Sequence, residues 1–205
     1  MVVGAGRFPA RSGENDGVVL IESSPAADAR AAALLLHPHP EYGGNRHNNV
    51  IEALYRALPA AGTTAVRFDF SSAEVTVARA EALEALEALT ESSTGAVILA
   101  GYSFGADVAA TISDPRLAGW LLVAPPLRTV PIADMQAGAD PRPKLILVPE
   151  HDQFSPPART GPAVSGWRET TVEVIPGSDH FLSGATDMVV SDALGWLDEI
   201  VGAQA

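Results

Sequence analysis

At 205 residues the chain is long enough to bury a full core as one domain without disulfide or metal staples. Its formal net charge of −12 leaves no electrostatic footprint for nucleic acid and repels polyanions at long range. The absence of cysteine excludes a disulfide framework, a thiolate zinc site and a cysteine nucleophile, which fits a cytoplasmic protein, and no stretch reaches the roughly 18 apolar residues of a membrane span.

The first 17 residues, "MVVGAGRFPARSGENDG", are rich in Gly, Arg and Ser and read as a loose leader ahead of a single folded domain over 18–205. The lone "GAG" within them has neither a strand before it nor a helix after it, so it is no dinucleotide site. Beyond the leader, short apolar runs alternate with helical patterns. "GVVLIES", "AAALLLHP", "TAVRFDF", "GAVILAGYS", "GWLLVAPP", "PKLILVPE" and "TTVEVIPG" are the strands, several apolar on both faces as helix-covered strands are.

Between them, "HNNVIEALYRALPAAG" places Val50, Ile51, Leu54 and Leu58 on one helical face, and "AEVTVARAEALEALEALTESS" places Leu83, Leu86 and Leu89 likewise. The carboxylates of that second helix read as a solvated surface. A last helix runs from about Ala185 to Val201 and carries Met188, Val189, Leu194, Trp196 and Leu197. Such alternation predicts an α/β fold, a mainly parallel central sheet with helices on both faces, with ligands binding beyond the carboxyl ends of the strands. The interval from Ser113 to Pro143 leaves no room for a multi-helix cap, so the site is expected to be open.

"AVILAGYSFGADVAATI" puts Ser103 where a strand gives way to a helix, flanked by Gly101 and Gly105. This is Gly-x-Ser-x-Gly in the context a nucleophile elbow requires. The same glycines would also serve tight strand-to-helix packing alone, and a serine hydroxyl is weak at neutral pH, so the decision rests on a base and a group to orient it. Downstream of Ser103 lie two histidines, His151 and His180. His180, in "VEVIPGSDHFLSG", follows the last strand and is assigned as general base, with Asp152 of "HDQFSPP" as the carboxylate that fixes its tautomer. Glu150 is a rival for that role, and Asp179, adjacent to His180, a weaker one.

Stabilising an oxyanion takes backbone donors: Phe104, the residue after the nucleophile, and one from the loop after an early strand, "HPHPEYGGNRHNNVI". Pro38 and Pro40 have no N–H, so His39 is the natural donor, with Glu41 or Tyr42 behind it. His37, His39 and His47 could also suggest a metal, but no acid or cysteine cluster completes a recognisable set, and the serine chemistry needs neither metal nor cofactor. Tyr42, Leu127, Phe154 and Phe181 are the expected substrate-binding wall, alongside Phe104.

The loop "HPHPEYGGNRHNNVI", the strand "AVRFDF", the elbow "GYSFGA", the "HDQFSP" segment and "GSDHFL", in that order, resemble the α/β-hydrolase superfamily, and more narrowly its small lidless bacterial branch with an "HPHP…GG" loop. The resemblance spans about Val18 to Val201. It implies Ser103, Asp152 and His180 as a catalytic triad, His39 and Phe104 at the oxyanion hole, and hydrolysis of an ester or thioester of a small-molecule acyl substrate. Two departures stand out: Ser71-Ser72-Ala73 replaces a glycine-rich loop resembling "RGVGxSxG", and Pro149-Glu150-His151-Asp152 replaces "GxxD". An acyltransferase with the same three residues, or a non-catalytic binding protein on the same fold, are the competing readings.

Overall fold

The structure is a computed structural model and describes residues 21–93 and 95–203; the leader expected over 1–17 lies outside them. Seven strands and five α-helices follow in the order β1 (Glu22–Ser24), β2 (Ala31–Leu36), α1 (Asn49–Ala57), β3 (Thr63–Arg67), α2 (Val75–Ser92), β4 (Ala96–Tyr102), α3 (Phe104–Ala110), β5 (Leu117–Val123), β6 (Lys144–His151), α4 (Pro157–Val164), β7 (Thr170–Asp179) and α5 (Thr186–Ala203). They form one sheet in the order β1-β3-β2-β4-β5-β6-β7. Only β1 runs antiparallel, against β3; every other pairing is parallel.

The uninterrupted apolar runs are the strands covered on both sides. All residues of β2, β4 and β5 are buried. Because side chains alternate faces along a strand, the runs feed two cores. Leu34, Leu36, Leu99 and Leu122 pack with α2 and α3 on one side. Leu35, Ile98, Leu121 and Leu147 pack with α1 and α5 on the other.

Helix α1 starts at Asn48, whose side chain accepts a hydrogen bond from the Val50 amide at 3.0 Å, and buries Val50, Ile51 and Leu54 as its spacing predicts. In α2 the leucine spacing misleads in part. Leu86 and Leu89 are buried, but Leu83 is only half-buried, and Ala78, Ala82 and Ala85 supply the rest of the inward face. Small side chains there let the helix sit close to the sheet and to α3, so the core stripe is written in alanine. Most carboxylates of α2 are solvated as expected; Glu81 is an exception and accepts from the Ser71 amide at 3.1 Å, closing the Ser71-Ser72 turn.

In α5 the expected inward face holds at Val189, Trp196 and Leu197, while Met188 is 36% exposed and Ala193 and Ile200 complete the contact. Helix α4 is not expected from the sequence: Pro157 suits its first position, but Pro162 lies inside it and removes a helical hydrogen bond, so the buried Thr160 and Val164 help to hold it. Between β5 and β6 the chain makes two short 3₁₀ turns, Ile132–Asp134 and Gln136–Ala139, and there is no cap domain among the described residues. Among them, too, no helix is long and apolar enough to cross a membrane.

The burial difference along α2 can be measured. Leu86→Ala is expected to cost about 2–5 kcal/mol in urea unfolding, and Leu83→Ala clearly less, because a half-buried side chain leaves no closed cavity. Equal costs would mean that the leucine spacing, and not the alanine face, sets how α2 packs.

Candidate active site

The carboxyl ends of the parallel strands meet along one rim, and Ser103 sits at its centre. It follows β4 directly and takes φ 53° and ψ −118°, a strained conformation for a residue with a side chain. The turn is held on both sides: the Ser103 amide donates to the Val123 carbonyl at 2.9 Å, and the Ser103 carbonyl accepts from the Ala106 and Asp107 amides as α3 begins. A Cβ on Gly101 would lie 2.3 Å from the Gly105 carbonyl oxygen, and one on Gly105 would lie 2.2 Å from that of Leu36. Both glycines are therefore required by backbone contact between β2, β4 and α3.

Ser103 Oγ lies 2.9 Å from His180 Nε2, and His180 Nδ1 lies 2.8 Å from Asp152 Oδ2. All three residues are buried. Asp152 Oδ1 accepts from the Phe154 and Ser155 amides at 2.7 and 2.9 Å. Burial by itself would raise the Asp152 pKa, but the bond from His180 and the two amides outweigh it and hold the carboxyl below its ordinary range. A carboxylate only accepts, so Nδ1 carries the imidazole proton and the Nε2 lone pair faces the Ser103 hydroxyl. The imidazole is further fixed by the Tyr102 hydroxyl, which donates to the His180 carbonyl at 2.8 Å, and by the Phe154 ring edge-on at 4.5 Å.

The rivals for the acid go elsewhere. Glu150 is exposed and accepts from the Gly177 amide at 2.7 Å, while Asp179 accepts from the Phe181 amide at 3.0 Å. His151 is exposed.

The loop after β2 is anchored by His37, 1% exposed, which donates from Nδ1 to the Pro38 carbonyl at 2.6 Å and accepts at Nε2 from the Phe70 amide at 2.8 Å. Burial, the largest influence, lowers its pKa and keeps the ring neutral in this donor–acceptor role. The His39 carbonyl accepts from the Tyr42 and Gly44 amides, folding the loop back on itself, and a Cβ on Gly44 would lie 2.2 Å from the Pro38 carbonyl oxygen. The amides of His39 and Phe104 have no acceptor among the described residues, and the two rings pack at 5.0 Å. The three histidines do not converge: His37 bridges Pro38 and Phe70, His47 faces Glu52 and Arg67, and the buried His39 Nδ1 has no hydrogen-bond partner among the described residues.

No protein-family profile matches the chain. An uncharacterized protein of Rickettsia prowazekii is 29% identical over 201 residues, covering 88% of this chain and 82% of its own. Among solved structures, an α/β serine hydrolase homologue from Coxiella burnetii superimposes with a TM-score of 0.71 at 26% identity, over 85% of this chain and 91% of that one. A serine hydrolase without a lid from Xanthomonas campestris gives 0.70 at 25% identity, over 91% and 89%. The fold is that of the α/β hydrolases, as in these lidless and serine-hydrolase structures.

On this fold Ser103 opens into a cavity of about 580 Å³. His39, Phe104, Tyr42, Phe154 and Phe181 line it, with Tyr42 at 87% and Phe181 at 58% exposure forming the outer rim. Leu127 corrects the expectation: it is absent from the wall, and its side chain lies in the core, 6% exposed. Its backbone, at φ 53°, reverses there, and Pro126, Arg128 and Thr129 face the cavity in its stead.

Asp107 causes this, and sequence reading passed over it. Fully buried on α3, it accepts from the Leu127 amide at 2.9 Å through Oδ1, and from the Arg128 and Thr129 amides at 3.2 and 3.0 Å through Oδ2. Burial pushes its pKa up against the pull of those amides. The available signal was an acid within the apolar "GADVAA", one helical turn after Ser103.

The elbow contact sets a stability test. Gly105→Ala is expected to destabilise by about 3 kcal/mol or more, because its Cβ meets rigid backbone. Gly166→Ala, where a Cβ meets nothing within 4 Å, stays within about 1 kcal/mol in the same denaturation experiment.

Proposed function

We propose that the protein is a serine hydrolase that cleaves a carboxylic ester or thioester through an acyl-enzyme. The observation that carries this is the continuous relay from Ser103 Oγ through His180 to Asp152, with hydrogen-bonding distances of 2.9 and 2.8 Å, at the wall of an accessible cavity.

In the reaction, Ser103 Oγ attacks the acyl carbonyl while His180 Nε2 takes the hydroxyl proton. Asp152 holds the Nδ1 proton and stabilises the imidazolium. The carbonyl oxygen, now carrying negative charge, is met by the Phe104 and His39 amides, donors without a partner in the protein among the described residues. His180 then protonates the departing alcohol or thiol, leaving the acyl group on Ser103. Water, activated by the same imidazole, attacks the acyl-enzyme and releases the acid. The strained Ser103 backbone supports the reading, since it holds Oγ at the strand end where substrate arrives.

The substrate is a small molecule, and no cofactor enters the steps. The acidic surface and lack of cysteine support a cytoplasmic setting without a nucleic-acid or membrane partner.

A fluorophosphonate probe is expected to label the folded protein once, at Ser103, by peptide mass mapping; labelling elsewhere, or none, refutes the reading. Against p-nitrophenyl esters and acyl thioesters, Asp152→Asn is expected to lose roughly 10⁴-fold in kcat. Glu150→Gln is expected to stay within about threefold, because a role outside the relay leaves the transition state untouched.

A further inference from the structure

Arg128 is the one arginine or lysine among the described residues lining the cavity, and no aspartate or glutamate lines it. In a chain of net charge −12, Arg30, Arg46, Arg56, Arg67, Arg116 and Arg142 each pair with a carboxylate, and of the described arginines that do not, Arg79, Arg128, Arg159 and Arg168, Arg128 alone lines the cavity. Arg128 has no such pair among the described residues. Its guanidinium lies 4.8 Å from the centre of the Phe154 ring, and the same ring packs against the His180 imidazole at 4.5 Å. A single phenyl ring thus separates this guanidinium, without a carboxylate partner among the described residues, from the imidazole beside Ser103.

The position is built rather than incidental. Asp107 ties the Leu127, Arg128 and Thr129 amides to the helix that begins at Ser103, so the segment bearing the cation is registered on the nucleophile's own helix. The tether runs through backbone groups, and the exposed Arg128 side chain is left to face the cavity. Its planar, multidentate guanidinium matches a carboxylate, and stacking on Phe154 orders it before substrate arrives.

Resting on the reading of Ser103 as nucleophile, we propose that Arg128 binds a carboxylate carried by the substrate, so that the preferred substrates are esters bearing a carboxylate a short chain from the scissile carbonyl. The carboxylate can sit on the acyl group or on the leaving alcohol; both present the same chemistry to the guanidinium.

The test compares kcat/KM for p-nitrophenyl hemiglutarate with that for p-nitrophenyl valerate, and for 3-(butyryloxy)benzoate with that for phenyl butyrate. In at least one pair the wild-type preference for the anionic ester is expected to fall about 10- to 100-fold in Arg128→Gln, the range of a lost charge-assisted contact. Arg128→Lys is expected to restore part of it and Arg128→Glu to push it lower still; the pair that responds identifies which side carries the anion. Ratios unchanged within about twofold in both pairs overturn the proposal.

Failure of the hydrolase reading shows separately, as a wild type that turns over none of the four esters. In that event binding decides: calorimetry of monomethyl glutarate with Ser103→Ala is expected to give a measurable affinity that Ser103→Ala/Arg128→Gln loses. Equal binding by both proteins, or binding by neither, refutes the carboxylate site.

Discussion

Three backbones converge around Ser103, and the rest of the site depends on how closely they can approach. The end of β2, the end of β4 and the first turn of α3 touch through carbonyls that leave no room for a Cβ at Gly101 or Gly105. That contact fixes the direction in which α3 leaves the sheet, holds Ser103 at a positive φ, and starts the helix with a Phe104 amide that has no acceptor among the described residues. The strain at Ser103, of order 1–3 kcal/mol, persists because the surrounding hydrogen bonds to Val123 and from Ala106 and Asp107 over-determine the turn.

Around this contact, two buried carboxylates organise the surface that substrate meets. Asp152 divides its oxygens between the His180 imidazole and two amides, and so orients the histidine toward Ser103. Asp107 spends both oxygens on three amides of one short segment and makes no contact with the serine or histidine side chains. A charge removed from water is tolerated when its lone pairs are filled, and both aspartates meet that condition with backbone donors. One carboxylate acts on the relay and the other on the shape and charge of the wall opposite the His39 loop.

A third polar group, His37, does the equivalent work for that loop without carrying charge. As a neutral imidazole donating on one side and accepting on the other, it joins the Pro38 carbonyl to the Phe70 amide, so the ends of β2 and β3 are locked together just before the chain turns into the cavity wall. Behind it, Arg67 is 3% exposed yet paired with Glu22 and Glu52 and stacked 3.8 Å from the Tyr55 ring centre, which fastens the antiparallel edge strand to α1. The rim thus rests on Asp152, Asp107, His37 and Arg67, buried polar groups that are each hydrogen-bonded, beneath the cavity.

Sequence by itself determined the alternation of strands and helices, the parallel sheet, and Ser103 and His180, with an acid at the end of β6, as the groups to bring together. Those features are local: an apolar run ends, two glycines bracket a serine, and a polar residue follows each later strand. Other features were not legible, because their causes act across the chain. The choice among Glu150, Asp152 and Asp179 depends on where β6 and β7 end relative to one another. Helix α4 forms despite Pro162 in its interior because packing overrides propensity, and α2 buries alanines that a leucine pattern hides. Leu127 lies in the core and Arg128 on the wall because an aspartate 20 residues before Leu127 accepts from both their amides where the backbone reverses. Side-chain spacing along a strand or helix encodes which face is apolar, whereas which neighbour a backbone amide finds is settled only when distant segments meet.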